Sequence, residues 1–131
     1  MADERRTVLM IMGDESADAA YREYIDGDRY KTISAQELWK EEPGLTPGTA
    51  GPLNPRFMER LMNKRGTEFS AIIIGEQCED LISTIKVNYD GPLIGVYLTN
   101  RRMKNVDRLV DTLSALGLSE RINEALDKLV R

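Results

Sequence analysis

Three short apolar runs, at residues 7–12, 71–74 and 93–98, constrain the fold of this chain more than any other feature. Each run is mostly apolar at successive positions and ends at a turn. Such runs are typical of strands buried on both faces, as in a parallel sheet. A fourth, shorter strand is predicted at residues 30–33. The chain is therefore expected to build its core around a parallel sheet.

Apolar residues at three- and four-residue spacing lie between and after these runs, and they predict amphipathic helices. The stripes consist of Ala17, Ala20, Tyr21, Tyr24 and Ile25; Phe57, Met58, Leu61 and Met62; Cys78, Leu81, Ile82, Ile85 and Tyr89; Val106, Leu109, Val110, Leu113 and Leu116; and Ile122, Ala125, Leu126, Leu129 and Val130. Strands that alternate with helices need crossover connections. We therefore expect an α/β fold, a three-layer α/β/α sandwich with a short, mainly parallel, doubly wound sheet of three or four strands.

Proline and glycine concentrate at residues 40–56, which hold four of the five prolines and three of the ten glycines. Such a segment cannot pair its backbone regularly and is expected to cross the surface as a loop. Asn54 and Pro55 then predict the start of a helix, as its cap and its first residue. A length of 131 residues favours a single domain, 1–131, that carries this loop.

Histidine is absent from the chain, and cysteine occurs once. These counts exclude Ser-His-Asp and Cys-His catalytic pairs, histidine-ligated metals, multi-cysteine zinc sites and internal disulfides. The net charge of -4 disfavours nucleic acid as a partner. A charged N-terminus followed by a short apolar run predicts neither a targeting segment nor a membrane helix, so the expected location is the cytoplasm.

Acidic and hydroxyl side chains follow the predicted strands at the edge where parallel α/β sheets bind ligands. Asp14 and Glu15 follow the first run, Glu76 follows the second, and Thr99 follows the third. Carboxylates are ligands that Mg²⁺ prefers, so Mg²⁺ is a possible cofactor here. Acidic residues are equally common at the start of a helix, where they interact with unpaired N–H groups. The sequence leaves both roles open.

Two other groups at this edge also allow two interpretations. Cys78 lies near the start of a predicted helix, where a thiol can become reactive, but it also belongs to an apolar stripe. Arg101, Arg102 and Lys104 could meet a phosphate or form a solvated turn. The glycine spacing of a P-loop or of a dinucleotide fingerprint is missing.

The order of these features resembles that of the response-regulator receiver domain. That resemblance implies a doubly wound fold in which Asp14 and Glu15 match the family's acidic pair and Thr99 matches its switch residue. Gly75 stands where the family has its phosphorylated aspartate. The family's fifth strand and the lysine that follows it are expected to be missing, because the last two helical stripes follow one another almost directly.

Two regions are candidate surfaces for protein partners. Trp39 precedes the Pro/Gly-rich loop and either packs under it or anchors a partner. Leu126 and Leu129 lie on the last stripe, which either covers the sheet or forms a homodimer.

Two functions follow from these observations. The first is a non-catalytic regulatory or protein-interaction module of receiver-like fold that lacks the phosphoacceptor aspartate. The alternative is a small-molecule or nucleotide-binding enzyme subunit with a carboxylate and Mg²⁺ site formed by Asp14, Glu15, Glu76 and Thr99.

Overall fold

The computed structural model of the protein describes residues 5–13, 15–41, 55–98, 103–112 and 116–130. The strands are β1 (Arg6–Ile11), β2 (Tyr30–Ser34), β3 (Ala71–Gly75), β4 (Leu93–Tyr97) and β5 (Arg108–Asp111). The helices are α1 (Glu15–Arg22), α2 (Ala35–Glu41), α3 (Pro55–Arg65), α4 (Ile82–Asn88) and α5 (Leu118–Leu129), with 3-10 helices at Gly66–Glu68 and Glu76–Leu81. Among these described residues, no helix is long and apolar enough to cross a membrane.

The five strands form one parallel sheet in the order β2-β1-β3-β4-β5. The chain runs outward from β1 to β2, returns across β1 to β3, and then continues outward to β5. This arrangement is the doubly wound α/β fold that the sequence predicts. Because the direction of winding reverses between β1 and β3, the carboxyl ends of these two strands border the crevice where such folds bind ligands.

Each face of the sheet carries its own apolar core. The first core cluster contains Leu9, Ile11, Ile72, Ile74 and Leu93 from the strands, with buried residues of α2, α3 and α4. The second core cluster contains Val8, Met10, Ala71, Ile73, Ile94, Val96 and Val110, with buried residues of α5. Successive strand residues therefore enter opposite layers, and the β3 residues are all buried, as the continuous apolar run predicts.

The expected loss of the fifth strand is wrong. Leu109 and Val110, which match the spacing of a helical stripe, lie instead in β5. This strand pairs with β4, and Asp111 lies opposite Tyr97. Val110 enters the second core cluster, whereas Leu116 is 87% exposed before α5. Leu113 lies outside the described residues. A four-residue edge strand is too short to display a period of two, so its apolar residues match a helical spacing by coincidence.

The other elements agree with the sequence more closely. The strand predicted at residues 30–33 is β2, and Pro55 begins α3. The stripe that starts at Cys78 divides into the 3-10 helix Glu76–Leu81 and α4. Most of the Pro/Gly-rich loop and its Asn54 cap lie outside the described residues.

None of the predicted apolar stripes corresponds to α2. A capping box defines its start, because the Glu37 N–H donates to Ser34 Oγ at 3.1 Å and the Ser34 N–H donates to Glu37 Oε2 at 3.0 Å.

Candidate functional site

Two of the chain's own side chains lie close to the glycines at the carboxyl ends of β1 and β3. Gly75 ends β3 and is buried, and a Cβ atom added there would lie 3.2 Å from Met12 Sδ. Gly13 follows Met12, and a Cβ atom on it would lie 2.6 Å from Gln77 Oε1. Met12 and Gln77 therefore occupy the space above two glycines, at the position where this fold class usually holds a ligand.

The 3-10 helix Glu76–Leu81 also holds the connection that leaves β4. Glu76 Oε1 accepts the Leu98 N–H at 3.0 Å, and Glu79 Oε2 accepts the Lys104 N–H at 3.1 Å. Two carboxylates of one short helix therefore anchor residues on both sides of positions 99–102. At this place, acidic side chains act as hydrogen-bond acceptors for backbone groups.

Of the four predicted magnesium ligands, the structure describes two, and these two contact different groups. Glu15 forms an ion pair with Lys40 of α2 at 2.5 Å, whereas Glu76 contacts the residue that follows β4. Asp14 and Thr99 lie outside the described residues. Within the described ranges, no three Cys, Asp or Glu side chains are grouped so that they could hold a metal ion.

A buried aspartate that the sequence analysis missed lies beside this edge. Asp18, in the first turn of α1, is 5% exposed and lines a cavity of about 270 Å³ with Arg22 and Glu37. Arg22 Nη1 donates to Glu37 Oε1 at 2.8 Å, which joins α1 to α2. This hydrogen bond and the attraction between the charges hold the pKa of Glu37 below its usual range and raise the pKa of Arg22.

Two sequence signals could have indicated this cluster. Asp18 and Arg22 are four residues apart and share one helix face, where an acid and a base interact favourably. Ser34 and Glu37 have the spacing of a capping box. The apolar stripe is the dominant pattern in this part of the sequence. Asp18 interrupts the stripe, so the pattern does not indicate that Asp18 is buried.

Cys78 belongs to the core. Its side chain is buried in the first core cluster, and burial, followed by the negative charge of Asp18, raises the pKa of the thiol to about 11. The thiol therefore stays protonated at neutral pH, which favours the core interpretation over the reactive one.

The candidate partner residues occupy three different environments. Trp39 is partly buried against the first core cluster, and its Nε1 is buried with no hydrogen-bond acceptor among the described residues. Leu126 is fully buried in the second core cluster, so it packs on the sheet and has no surface for a partner. Leu129 is partly buried against the same cluster.

The end of β5 differs from the receiver pattern. Asp111 is its last residue, and Thr112, Leu113 and Ser114 follow, so the residues directly after the strand include no lysine. The Thr112 hydroxyl and N–H both donate to the Tyr97 carbonyl, at 2.8 and 2.9 Å, and thereby join the ends of β5 and β4. The sheet thus has a fifth strand, and no lysine follows it directly in the sequence.

Comparison with known proteins identifies the fold but no sequence family. No family model matches the chain, and no curated protein matches its sequence. The signal receiver domain of a protein assigned as a LuxO repressor from Vibrio parahaemolyticus is similar in structure, with a TM-score of 0.57 and 13% identity. The similarity covers 95% of this chain and 92% of that one. The chain therefore has the receiver-like fold that its pattern of strands, acids and helices predicts.

Proposed function

We propose that this protein is a receiver-like module that acts by binding other proteins and does not carry out phosphotransfer. The observation that carries the proposal is the end of β3, where Gly75 offers no carboxylate and Met12 Sδ lies within 3.2 Å of any added Cβ. A side chain added at Gly75 would therefore require Met12 to move, and the residue itself offers no group that could accept a phosphoryl group.

The surroundings of Gly75 support the same conclusion. Glu76, the nearest carboxylate in sequence, accepts a hydrogen bond from the Leu98 N–H, and Thr112 follows β5 where a receiver has lysine. A phosphoryl group would need a nucleophilic carboxylate and cations that neutralise its charge. We infer that the protein uses the receiver-like fold for binding and does not carry out phosphotransfer.

Phosphate-donor labelling tests this function. Incubation of the protein with acetyl phosphate and Mg²⁺, followed by intact mass measurement, should show no acid-labile phosphoryl group. A receiver domain that carries the aspartate, treated in parallel, should become modified. Stoichiometric modification of the wild type, removed by Glu76→Gln or Asp14→Asn, would overturn the proposal.

The same proposal covers partners and location. We propose that the partner is another protein or a second copy of the chain, and that the protein acts in the cytoplasm. The net charge of -4 makes nucleic acid an unfavourable partner. Since Leu126 is buried, a homodimer through α5 would have to use its exposed side chains, including Glu120 and Glu124. Sedimentation at tens of micromolar distinguishes the two kinds of partner, and a charge-reversed Glu120→Lys/Glu124→Lys variant tests the α5 contact.

A further inference from the structure

One side of α3 carries a row of positive charges. The opposite side of this helix enters the first core cluster with four apolar residues, Phe57, Met58, Leu61 and Met62. On the solvent side, Arg56, Arg60 and Lys64 follow one another at four-residue spacing, and all three side chains are exposed. Residues at this spacing lie one above the other on a helix, about 6 Å apart along its axis. We call Arg56, Arg60 and Lys64 the basic row.

Acidic side chains of α3 do not neutralise the basic row. Glu59 is the one acid of this helix, and it forms no ion pair with any residue that the structure describes. Arg56 and Lys64 have contacts within the chain, whereas Arg60, at the centre of the row, makes no hydrogen bond or ion pair in the described part of the chain. The row is therefore a local positive surface on a chain of net charge -4.

The basic row is unfavourable for the helix that carries it. Arg56 lies in the first turn, which contains no acid, although the helix dipole favours negative charge at that end. Arg56 and Arg60 repel one another at i, i+4, and so do Arg60 and Lys64. The dipole favours a cation only at Lys64, in the last turn. Charges that oppose local stability in this way are typical of a site that serves binding.

We propose that the basic row binds an acidic segment of a partner protein. Carboxylates spaced one helical turn apart would each meet one cation, and each arginine can hold a carboxylate through two parallel hydrogen bonds. The positive end of the α3 dipole lies beside Arg56 and adds to the attraction. A nucleic acid is a poorer occupant, because a long polyanion would also meet the rest of a chain whose net charge is -4. This inference rests on the proposed function, since it names the surface and partner of the binding module.

Two synthetic helical peptides test the basic row. Both consist of alanine and glutamine at most positions, and one carries glutamate at i, i+4 and i+8 where its counterpart carries lysine. Titration into the ¹⁵N-labelled protein at low salt should shift the amides of residues 56–64 with the glutamate peptide and leave them unchanged with the lysine peptide. Binding should weaken strongly when the salt concentration is raised to about 0.5 M, because the charges of the row are exposed and salt screens them.

Arg60→Glu separates binding from stability. This change should weaken binding of the glutamate peptide about tenfold or more, because it places a negative charge at the centre of the row. It should also raise the melting temperature slightly, because it replaces two repulsive i, i+4 pairs with attractive ones. Lys128→Glu is the matched control. It changes the net charge by the same amount but lies on α5, which packs on the other face of the sheet, so peptide binding should be nearly unchanged.

The proposal is overturned if neither peptide binds, if both bind equally, or if the shifts map away from α3. Equal weakening by Arg60→Glu and Lys128→Glu would reveal an effect of net charge alone and would also overturn it. The same holds if a single-stranded RNA binds the row more tightly than the glutamate peptide, or if Arg60→Glu melts below the wild type, which would assign the row to stability. Acetyl phosphate labelling tests the proposed function independently, so failure of one result is distinguishable from failure of the other.

Discussion

The two halves of the sheet are built differently. Around β1 and β3, both faces are covered by helices, and residues such as Ile73 and Met10 have no exposed surface. Around β5, one face packs against α5; on the other face, among the residues that the structure describes, Met103 is buried and Leu109 of β5 is 36% exposed. The β1–β3 half is thus buried on both faces, whereas the described residues of β5 include exposed positions.

This difference teaches that the two halves contribute unequally to the stability of the fold. Full burial gives the β1–β3 half close packing, in which any change of side-chain volume affects stability. Exposed apolar side chains such as Leu109 in the β4–β5 half contribute less to folding, because less of their surface leaves water.

The largest expected effect compares two apolar side chains. Ile73→Ala should lower the free energy of unfolding by about 2–5 kcal/mol, because it leaves a cavity in the centre of β3. Leu109→Ala should cost less than about 1 kcal/mol, since Leu109 is already 36% exposed. Urea unfolding at pH 7 measures both, and similar costs at the two sites would remove the distinction between the halves.

A smaller effect compares two glycines that have equally close neighbours. Gly75→Ala should destabilise the protein by about 1–3 kcal/mol, because the new Cβ meets the buried Met12 Sδ at 3.2 Å. The backbone at Gly75 is extended, with φ of −79°, so the cost is steric. Gly95→Ala meets Met103 and Leu109 at the same distance, but Leu109 can move toward solvent and the Met103 atoms, although buried, are the end of a flexible side chain.

The expected cost at Gly95 is therefore below about 1 kcal/mol, offset in part by the loss of glycine's flexibility in the unfolded chain. Thermal unfolding of the two variants is the measurement. A larger loss at Gly95 than at Gly75 would show that the β4–β5 half is the more tightly packed of the two.

The smallest effect concerns the ion pair between α1 and α2 in the covered half. The pKa of folded Glu37 lies below its unfolded value because of Arg22, so the pair stabilises the fold above that unfolded value. The contribution disappears as pH falls through the lowered pKa of the folded state. Glu37→Gln should cost less than about 1 kcal/mol at pH 7, because solvent screens a half-exposed pair.

Urea unfolding of the wild type and of Glu37→Gln at pH 7 and pH 3 tests this prediction. The difference between their free energies of unfolding should be smaller at pH 3 than at pH 7. Glu15→Gln is the control, because both members of the Glu15–Lys40 pair are well exposed and should contribute almost nothing. A difference between wild type and Glu37→Gln that grows at pH 3 would contradict the assignment.

The same contrast explains which parts of the structure could be predicted from the sequence. The run at residues 71–74 identifies β3 because a strand buried on both faces has no polar positions to obscure it. β5 escaped prediction because its four residues include an exposed Arg108 and a half-exposed Leu109, which match a helix as well as a strand. The fully buried strands are sufficient to predict the fold class. The strand that the sequence pattern does not predict, β5, lies in the partly exposed half.

The candidate site was harder to predict for a different reason. Sequence order placed Glu15 and Glu76 at one edge of the sheet, which is where they lie. It could not indicate that each would be used by a nearby group, Lys40 in one case and the Leu98 N–H in the other. Buried Asp18 was missed because it interrupts the apolar stripe of α1 and because Glu37, which lines the same cavity, comes from a different helix.

The position of Cys78 has a consequence for how the protein responds to oxidants. Its only thiol is 3% exposed with a pKa of about 11, so peroxide and glutathione disulfide meet almost no thiolate. The folded domain should therefore neither form covalent dimers nor report the redox state of its surroundings. A cysteine introduced at Leu98, which is 49% exposed, should therefore take a single fluorescent label while Cys78 stays in place.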